Sequence, residues 1–372
     1  MPGSADRGAT GGMLPADMST THQPQSRPGE ANTVGSLYGP PLAGLEARLD
    51  SALASALSQM PRVLHVIRER DVGLFSLIQQ AMANIAWALH EGRLPIVDFR
   101  HRAAYWTPDG HRGRDSVWEY YFEPVVRDLP SSAVPHSVTR AIERAYPDQD
   151  ELGSFVTSNA FVSNHFGDHP RLRGIAPAVP YTTGNPDRPL REWTSTILRR
   201  FVLPRAHIIE RVDAFFDAHL SGGEVIGVHA RGTDAVSARE TRAYRQGSLN
   251  LARFEQTLRE LMKARPDATI FVATDAQASL DRLQNTFGDR VVAYDAVRHV
   301  AGEAAGSGPT GCIMPAYITA DRSTAAQNGE DAVVEYLLLS RCVHLVHNGA
   351  SLATTVLLRN PSMPHSNTHV LA

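Results

Sequence analysis

The chain has 372 residues, of which 42% are hydrophobic and 20% are charged, with 36 lysine and arginine residues against 39 acidic ones. At about 100 to 200 residues per domain, this length predicts two domains. The formal charge of −3 argues against a nucleic acid as partner. Two cysteines, Cys312 and Cys342, allow at most one disulfide, which excludes a disulfide-stapled scaffold and a four-cysteine zinc module and is typical of a reducing compartment.

Residues 1–36 predict a disordered tail, because Gly, Ser, Thr, Pro, Ala and Gln dominate them. They lack the continuous apolar run of a signal peptide, and no apolar run in the chain approaches the roughly 18 to 20 residues that span a bilayer. We therefore expect a cytoplasmic protein without a membrane span. A partner-binding arm is the alternative interpretation of the tail.

The first half begins with a predicted β-α-β unit. Val63–Ile67 predicts a buried strand, apolar residues at steps of three and four between Phe75 and Leu89 predict a helix that Gly92 ends, and Leu94–Phe99 predicts a second strand. Such a unit is expected to have parallel strands and a right-handed crossover. An aromatic cluster follows, whose pattern favours packing over ligand binding. Its members are Trp106, Trp118, Tyr120, Tyr121 and Phe122. The segment 130–192 has no long periodic run and predicts irregular connections.

Helical patterning returns at Trp193–Leu220, with an interruption at Pro204. From residue 224 onward, strand and helix patterns alternate. The predicted strands are Glu224–His229, Thr269–Thr274, Arg290–Tyr294 and Val343–His347, and the predicted helices lie near 250–264, 276–286, Asp331–Arg341 and 351–359. This alternation is typical of a doubly wound parallel sheet in an α/β protein.

Polar residues follow three of these strands. Ligands of an open α/β sheet bind at the carboxyl ends of its strands, so these positions are candidates for a binding site. The first strand continues into His229, Arg231 and Asp234. The alternation of a strand places His229 and Arg231 on one side, and the guanidinium of Arg231 is suited to grip phosphate oxygens in a bidentate way.

The other two ends complement this arginine. Asp275 follows the second strand, where it could cap the next helix or hydrogen-bond a ribose. The last strand leads through Asn348 to Ser351, at the start of a helix whose free backbone N–H groups favour an anion. Together the three ends predict a pyrophosphate site.

Glu335 stands in an otherwise apolar run, Val333–Leu339. A buried carboxylate without a partner is costly, so two interpretations stay open. It forms an internal ion pair with Arg341 or another neighbour, or it accepts hydrogen bonds from a ligand edge such as the Watson–Crick edge of guanine.

Three strings carry a family resemblance. They are Val225-Ile-Gly-Val-His-Ala-Arg-Gly-Thr-Asp234, Phe271-Val-Ala-Thr-Asp275, and Glu330-Asp-Ala-Val-Val-Glu-Tyr-Leu-Leu-Leu-Ser-Arg-Cys342 with Ser351. They resemble the motifs shared by α1,6- and α1,2-fucosyltransferases, the rhizobial nodulation fucosyltransferases and the protein O-fucosyltransferases, over about 224–360. The Gly73 turn with its helix and the segment Trp118–Pro124 resemble the amino-terminal half of these enzymes less specifically.

The resemblance implies a GT-B fold with two Rossmann-like domains facing across a cleft, which we place at 37–200 for the acceptor and 201–372 for the nucleotide sugar. It implies an inverting glycosyltransferase that transfers fucose from GDP-fucose to a glycan or other hydroxyl acceptor, without a cofactor or an essential metal. By similarity, His229 and Glu335 contact guanine, and Arg231 and Ser351 hold the β-phosphate. Four further residues are assigned to the GDP-sugar site on the same ground: Gly73, Phe75, Asp234 and Asp275.

The chain also departs from the family pattern. The α1,6 branch has a second arginine at Gly232 and a lysine at Ala235, the aspartate that often follows Asp275 is Ala276, and position 335 is usually aspartate. Glu240 is a candidate general base, although its offset from the first motif differs by one from the α1,6 pattern. Another GDP-sugar as donor, or a degenerate protein that binds nucleotide or glycan without turnover, are the alternatives.

Of three weaker patterns, two favour loops and the third fails as a metal site. Gly306–Gly311 matches the dinucleotide fingerprint, but it lies in the long connection 296–328, contains Pro309 and precedes no helix pattern. Asp148 and Asp150 form an Asp-x-Asp string in a polar, proline-rich stretch. The histidines at 344, 347, 365 and 369 form no credible metal set, because the first two point to opposite faces of a strand and the others lie in an irregular tail.

Overall fold

The structure is a computed structural model that describes residues 44–145, 154–156, 160–179, 185–232, 249–298, 305–307, 313–315 and 322–368, all within the unit Gly35–Ala372. The elements of the first half are α1 (Leu45–Ser58), β1 (Leu64–Arg68), α2 (Leu74–His90), β2 (Leu94–Asp98), α3 (Val117–Tyr121), α4 (His136–Ala145), β3 (Ser154–Val156), β4 (Ala160–Ser163), α5 (Arg188–Phe201) and α6 (Ala206–His219). Those of the second half are β5 (Val225–Ala230), α7 (Leu251–Ala264), β6 (Thr269–Thr274), α8 (Gln277–Phe287), β7 (Val291–Ala293), β8 (Ala305–Ser307), β9 (Ile313–Pro315), α9 (Arg322–Leu339), β10 (His344–His347), α10 (Ser351–Arg359) and β11 (His365–Asn367).

The described strands form one larger sheet in each half and a separate two-stranded sheet, β8-β9. The first has the order β2-β1-β4-β3, with β1 parallel to both neighbours and β3 antiparallel at the edge. The second has the order β11-β10-β5-β6-β7 and is parallel throughout. These sheets confirm the predicted α/β class, the first β-α-β unit and the parallel second sheet. The carboxyl ends of both sheets meet, as described below, which is the arrangement expected of a GT-B fold. The bounds of the two predicted domains stay a prediction.

Three segments contain elements that the sequence did not predict. The segment 130–192 contains α4 and β4, and β4 is an inner strand rather than an irregular connection. Its four residues are buried on both sides, so it is too short to show alternation. The predicted irregular tail contains β11, and the long connection contains β8 paired with β9. Gly306 therefore lies in a hairpin strand, which is the wrong context for a dinucleotide fingerprint.

Helix α9 begins at Arg322 instead of the predicted Asp331. Its first nine residues are mostly polar, so the sequence lacks the apolar spacing that predicts a helix there. Tertiary contacts decide the start, because Ala325 and Ala326 are buried and Asn328 is 9% exposed.

Helix α2 lies at the centre of the molecule. Every residue from Leu74 to Leu89 is buried, although the sequence predicts an apolar stripe on one face only. The helix packs against β1 and β2, and on its other sides against α1, α5 and α10. Its polar side chains are therefore hydrogen-bonded internally: Gln80 Nε2 donates to the Arg68 carbonyl at 2.6 Å, and Asn84 Nδ2 donates to the His165 carbonyl at 2.6 Å.

The apolar core is continuous across both halves. Side chains of α2, α5, α9 and α10 share one cluster, and each sheet buries its other face against a second, smaller cluster. Alternation along the strands assigns the faces, since Ile67 faces the shared cluster and Val66 an outer one. Four of the predicted packing aromatics, Trp118, Tyr120, Tyr121 and Phe122, are fully buried, so their packing role is confirmed.

No helix within the described ranges combines the length and the apolar character that a membrane crossing needs.

Replacing Asn84 by alanine should lower the free energy of unfolding by about 2 to 3 kcal/mol, because the His165 carbonyl and the Ser163 hydroxyl lose a buried partner. Urea unfolding of the purified variant measures this loss. Asn285, exposed on α8, is the matched control, and its change to alanine should shift stability by no more than about 0.5 kcal/mol. Equal losses of stability in the two variants would contradict a stabilising role of the buried hydrogen bonds of Asn84.

Candidate functional site

The carboxyl ends of three neighbouring strands of the second sheet form the candidate site. Strand β5 lies between β10 and β6, with His347 opposite His229 and Thr274 opposite Ala230. The residues that follow these strands, Arg231, Asp275 and Asn348, therefore come together at one edge, as the sequence predicts.

Two of these side chains hold the backbone that carries Arg231. The Arg231 N–H donates to Asn348 Oδ1 at 3.2 Å, and Asn348 Nδ2 donates to the Arg231 carbonyl at 2.9 Å. Asp275 Oδ1 accepts from the Gly232 N–H at 2.7 Å. The N-terminal cap position of α8 is Ala276, without a side-chain cap, so the capping interpretation of Asp275 is wrong. The sequence analysis missed the role of Asn348, although the asparagine directly after β10 was visible.

Two helix N-termini, one from each half, meet beside these strand ends. The hydroxyls of Ser76 on α2 and Ser351 on α10 are hydrogen-bonded at 2.9 Å, and Gln79 Nε2 donates to the Ser351 carbonyl at 3.1 Å. The cap positions, Gly73 and Ala350, provide no side-chain cap. Because the first N–H groups of a helix lack intrahelical acceptors, two partial positive charges converge here.

Gly73 leaves open space at the start of α2. A Cβ atom placed on this residue would meet no described neighbour within 4 Å. The turn before α10 is tighter: Gly349 has a φ of 83°, and its N–H donates to His347 Nδ1 at 3.1 Å. These local geometries place Ser351 at the first turn of α10, where the sequence predicts an anion.

His229 lies inside β5 and is 6% exposed. Its register partner His347 is fully buried and its Nε2 lies 3.0 Å from His365 Nδ1. Burial, together with the charges of His365 and His229, holds the pKa of His347 well below 6.5. His344 is bound separately, with Nε2 at 2.9 Å from Ser366 Oγ. Within the described residues, no three His, Cys, Asp or Glu side chains form a group suited to a metal.

Glu335 lies on α9, 7% exposed, with one oxygen at 3.5 Å from the Arg298 guanidinium. This oxygen is Oε1, and apart from the ion pair it has no hydrogen-bond partner among the described residues. Burial raises the pKa of Glu335 to about 8; Arg298 opposes this rise, and Asp331 and Asp275 add to it. An ion pair exists, as one interpretation expected, but its partner is Arg298, because Arg341 binds Asp213 instead.

Tyr105 joins this site from the connection after β2, and the sequence analysis missed it. Its ring packs against α9 so closely that a Cβ at Gly329 would lie 2.8 Å from its Cγ. Burial raises the pKa of Tyr105 to about 12, with Arg231 opposing and Asp275 and Glu335 adding to the shift. The phenol is therefore a neutral donor within electrostatic range of the predicted site residues. No sequence signal distinguished it from the packing aromatics that follow.

Phe75, Asp234 and Glu240 are the remaining predicted site residues. Phe75 is 7% exposed and packs in the core, with its ring 5.4 Å from that of Tyr336, so its assignment to the sugar site stays a prediction. Asp234 and Glu240 lie outside the described residues, as do Asp148, Asp150 and the tail 1–36.

A buried carboxylate anchors the connection that carries Tyr105. Glu330 is fully buried on α9 and accepts from His111 Nε2 at 3.0 Å and Arg112 Nε at 3.1 Å, both from the connection after β2. His207 and Arg211 on α6 complete this group, which we call the Glu330 latch. Burial alone would raise the pKa of Glu330, but the hydrogen bonds from His111, Arg112 and Arg211 hold it well below 4.5.

Comparisons with known proteins show a likeness of fold. No family model matches the sequence, and no curated protein matches it. A NodZ α-1,6-fucosyltransferase structure soaked with GDP-fucose is 18% identical, with 80% of this chain and 92% of that chain covered, at a TM-score of 0.46. A fucosyltransferase NodZ structure from Bradyrhizobium is 17% identical, with 82% and 96% covered, at 0.47. POFUT1 in complex with GDP-fucose is 11% identical, with 84% and 100% covered, at 0.49.

Changing Glu330 to glutamine should lower the free energy of unfolding by about 2 to 3 kcal/mol at neutral pH, since four donors lose their charged partner and only Arg112 is half exposed. The folded-state pKa lies below the unfolded value of 4.5, so the carboxylate contributes stability above pH 4.5 and loses it as the pH falls. The difference from the wild type should therefore shrink in acid, as measured by urea unfolding at several pH values.

Glu91→Gln is the control for this measurement, because Glu91 forms an exposed pair with Arg93 at 3.5 Å. Its loss should cost no more than about 0.5 kcal/mol at any pH. A Glu330 variant as stable as this control would contradict the latch.

Proposed function

We propose that the chain is an inverting glycosyltransferase that transfers fucose from GDP-fucose to a hydroxyl group of a glycan or other acceptor. The observation that carries the proposal is the meeting of two helix N-termini without side-chain caps, joined by the Ser76–Ser351 hydrogen bond, at the sheet edge where Asn348 holds the backbone of Arg231. The motif resemblance over 224–360 implies that the ligand of this site is GDP-fucose. GDP-fucose is also the ligand in two of the similar structures, those of the NodZ α-1,6-fucosyltransferase and POFUT1.

The positive groups at this site fit the chemistry of the leaving group. In the proposed reaction an acceptor oxygen forms a bond to the sugar carbon C1, the C1–O bond to the diphosphate breaks, and GDP departs with the bonding electrons. Negative charge then grows on the β-phosphate. Asn348 and Asp275 hold the backbone that carries Arg231, and the N–H groups of the two helix N-termini are oriented by their helices. These donors are therefore suited to stabilise the charge with little reorganisation. We propose that the reaction needs neither a metal nor a cofactor for this reason.

We assign the binding of the guanine ring of the donor to Glu335. Its Oε1, which lies 3.5 Å from Arg298 but accepts no described hydrogen bond, is suited to accept an N–H of guanine, and Tyr105 is suited to donate a further hydrogen bond. His229, which is buried near the carboxyl end of β5, is the second proposed contact to guanine. Adenine offers a different pattern of donors on this edge, so a carboxylate here favours guanine.

The acceptor proton needs a base. Two buried acids at the carboxyl ends of the first sheet are engaged by arginine: Asp98 lies 2.6 Å from Arg68, and Glu69 lies 3.2 Å from the same side chain. The proposed base Glu240 lies outside the described residues, and its role stays a prediction, as does a cytoplasmic location.

One observation favours a second candidate, a degenerate protein that binds the donor without turnover. The α1,6 branch has an arginine at the position of Gly232, and a Cβ here would lie 3.2 Å from both Ala276 and Leu249. A larger residue at position 232 would therefore crowd these neighbours. The chain has glycine there and lacks the second arginine of the α1,6 branch. Another GDP-sugar as the donor is the remaining alternative.

Turnover of GDP-fucose, GDP-mannose and UDP-glucose, measured as nucleotide release with and without a glycan panel, tests the proposal. Release of GDP from GDP-fucose is expected. GDP binding without release from any donor would favour the degenerate protein, and a preference for UDP or NAD in calorimetry would overturn the proposal.

Changing Arg231 to glutamine should lower kcat by about 100- to 1000-fold, and by more than it weakens donor binding, because the charge to be stabilised grows in the transition state. Stopped-time assays at saturating GDP-fucose measure this loss. Arg290 is the control, since it precedes β7 at the amino-terminal edge of the same sheet and is exposed. A proportional loss in the Arg290→Gln variant would contradict the role of Arg231.

GDP affinity should rise with pH up to about 8. The Glu335 carboxyl is largely protonated below its raised pKa of about 8, whereas the N–H groups of guanine need the ionised form. Each pH unit below this value should therefore cost up to about tenfold in affinity, or about 1.4 kcal/mol. Calorimetry in buffers of different ionisation enthalpy measures the proton released on binding. The Glu335→Gln variant should lose this proton release, and an unchanged pH profile would contradict the assignment.

A further inference from the structure

A cavity of about 420 Å³ lies at the carboxyl ends of α5, α9 and α10, away from the strand ends described above. Three arginines line it: Arg199 near the end of α5, Arg341 just after α9, and Arg359 as the last residue of α10. We call it the three-arginine pocket. It plays no part in the site at the strand ends.

The positive charge of this pocket is not balanced. Arg341 alone forms an ion pair, with Asp213. Arg199 Nε and Nη2 donate to the Ser195 hydroxyl at 3.0 and 2.7 Å, and the Arg359 guanidinium lies over the Tyr336 ring, 5.9 Å from its centroid. Among the described residues, no carboxylate lies within ion-pair distance of Arg199 or Arg359. Two guanidinium charges therefore remain without a counter-ion from the described protein.

Direct hydrogen bonding to the carbonyl groups of the helix ends does not explain these arginines. Cations often stabilise the carbonyl groups of a last helical turn. Here other donors bind the carbonyls, since Asn360 Nδ2 donates to the Ser340 carbonyl at 3.2 Å and Ser195 Oγ to the Arg359 carbonyl at 3.3 Å. No described hydrogen bond joins a guanidinium of the three arginines to a helix carbonyl.

We propose that the three-arginine pocket binds a phosphate-bearing small molecule. Guanidinium groups bind phosphate oxygens in a bidentate way, and several of them around one pocket match the multiple charge of a phosphate ester or a diphosphate better than a single carboxylate. Ser340 and Ser362 add hydroxyl groups to the lining. The volume lies within the roughly 300 to 1,000 Å³ of small-molecule sites.

This site is separate from the proposed donor site. Arg359 and Ser351 are the two ends of α10, and at about 1.5 Å per residue they lie about 12 Å apart along the helix. A phosphate in the pocket therefore does not occupy the space at the start of α10. The inference does not depend on what the strand ends bind.

Calorimetric titration with pyrophosphate at fixed ionic strength tests the proposal. The wild type and the control Arg188→Gln, an exposed arginine of α5 paired with Glu192, should bind alike. The double variant Arg199→Gln/Arg359→Gln should lose binding to the pocket by tenfold or more. Arg231→Gln should retain it, because that residue lies at the strand ends.

A gain-of-affinity variant guards against misfolding as the cause. Asp213→Asn removes the counter-ion of Arg341 and should tighten pyrophosphate binding several-fold, whereas a merely structural role of the ion pair predicts no gain. Identical binding by the double variant and the wild type would overturn the proposal. So would loss of all binding in Arg231→Gln, or equal thermal stabilisation by chloride, sulfate and pyrophosphate at matched ionic strength.

Discussion

The hydrogen bond between Ser76 and Ser351 joins two helices that belong to different sheets, and the geometry of the candidate site depends on it. Helix α2 follows β1, and α10 follows β10, so their contact brings the carboxyl ends of both sheets together. Gln79 strengthens the contact by donating to Ser351 and Thr355 at 3.1 Å each. These contacts hold α2 in the interior of the protein. Because the helix is buried on all sides, its polar side chains bind partners inside the protein.

Helix α9 carries two buried glutamates, five residues apart, with opposite electrostatics. Glu330 meets four nitrogen-bearing side chains, and its pKa is held below its usual value. Glu335 faces Arg298 at 3.5 Å, and burial raises its pKa. Desolvation raises the pKa of both carboxylates, but the donors within hydrogen-bond distance of Glu330 outweigh it. Glu330 consequently stabilises the fold, whereas Glu335 retains capacity for a ligand.

The polar side chains at the strand ends mainly order the backbone. Asn348 and Asp275 bind the peptide groups of Arg231 and Gly232. The side-chain oxygens that accept these bonds order the backbone rather than contact a ligand. Such order is what an electrostatic site requires, since a guanidinium that has to reorganise during a reaction loses part of its effect.

The sequence by itself determined the alternating elements of the second half, the polar strand ends and the central position of Arg231, because strand alternation and helix periods are local properties. It could not identify β4 or β11, whose three or four residues are too short for a period, nor the start of α9, which buried neighbours decide. Only the tertiary structure decided that Tyr105 belongs to the site, that Arg298 rather than Arg341 faces Glu335, and that Ser76 meets Ser351. These contacts join residues far apart in the chain, and no local pattern encodes which of several equally suitable partners the fold brings together.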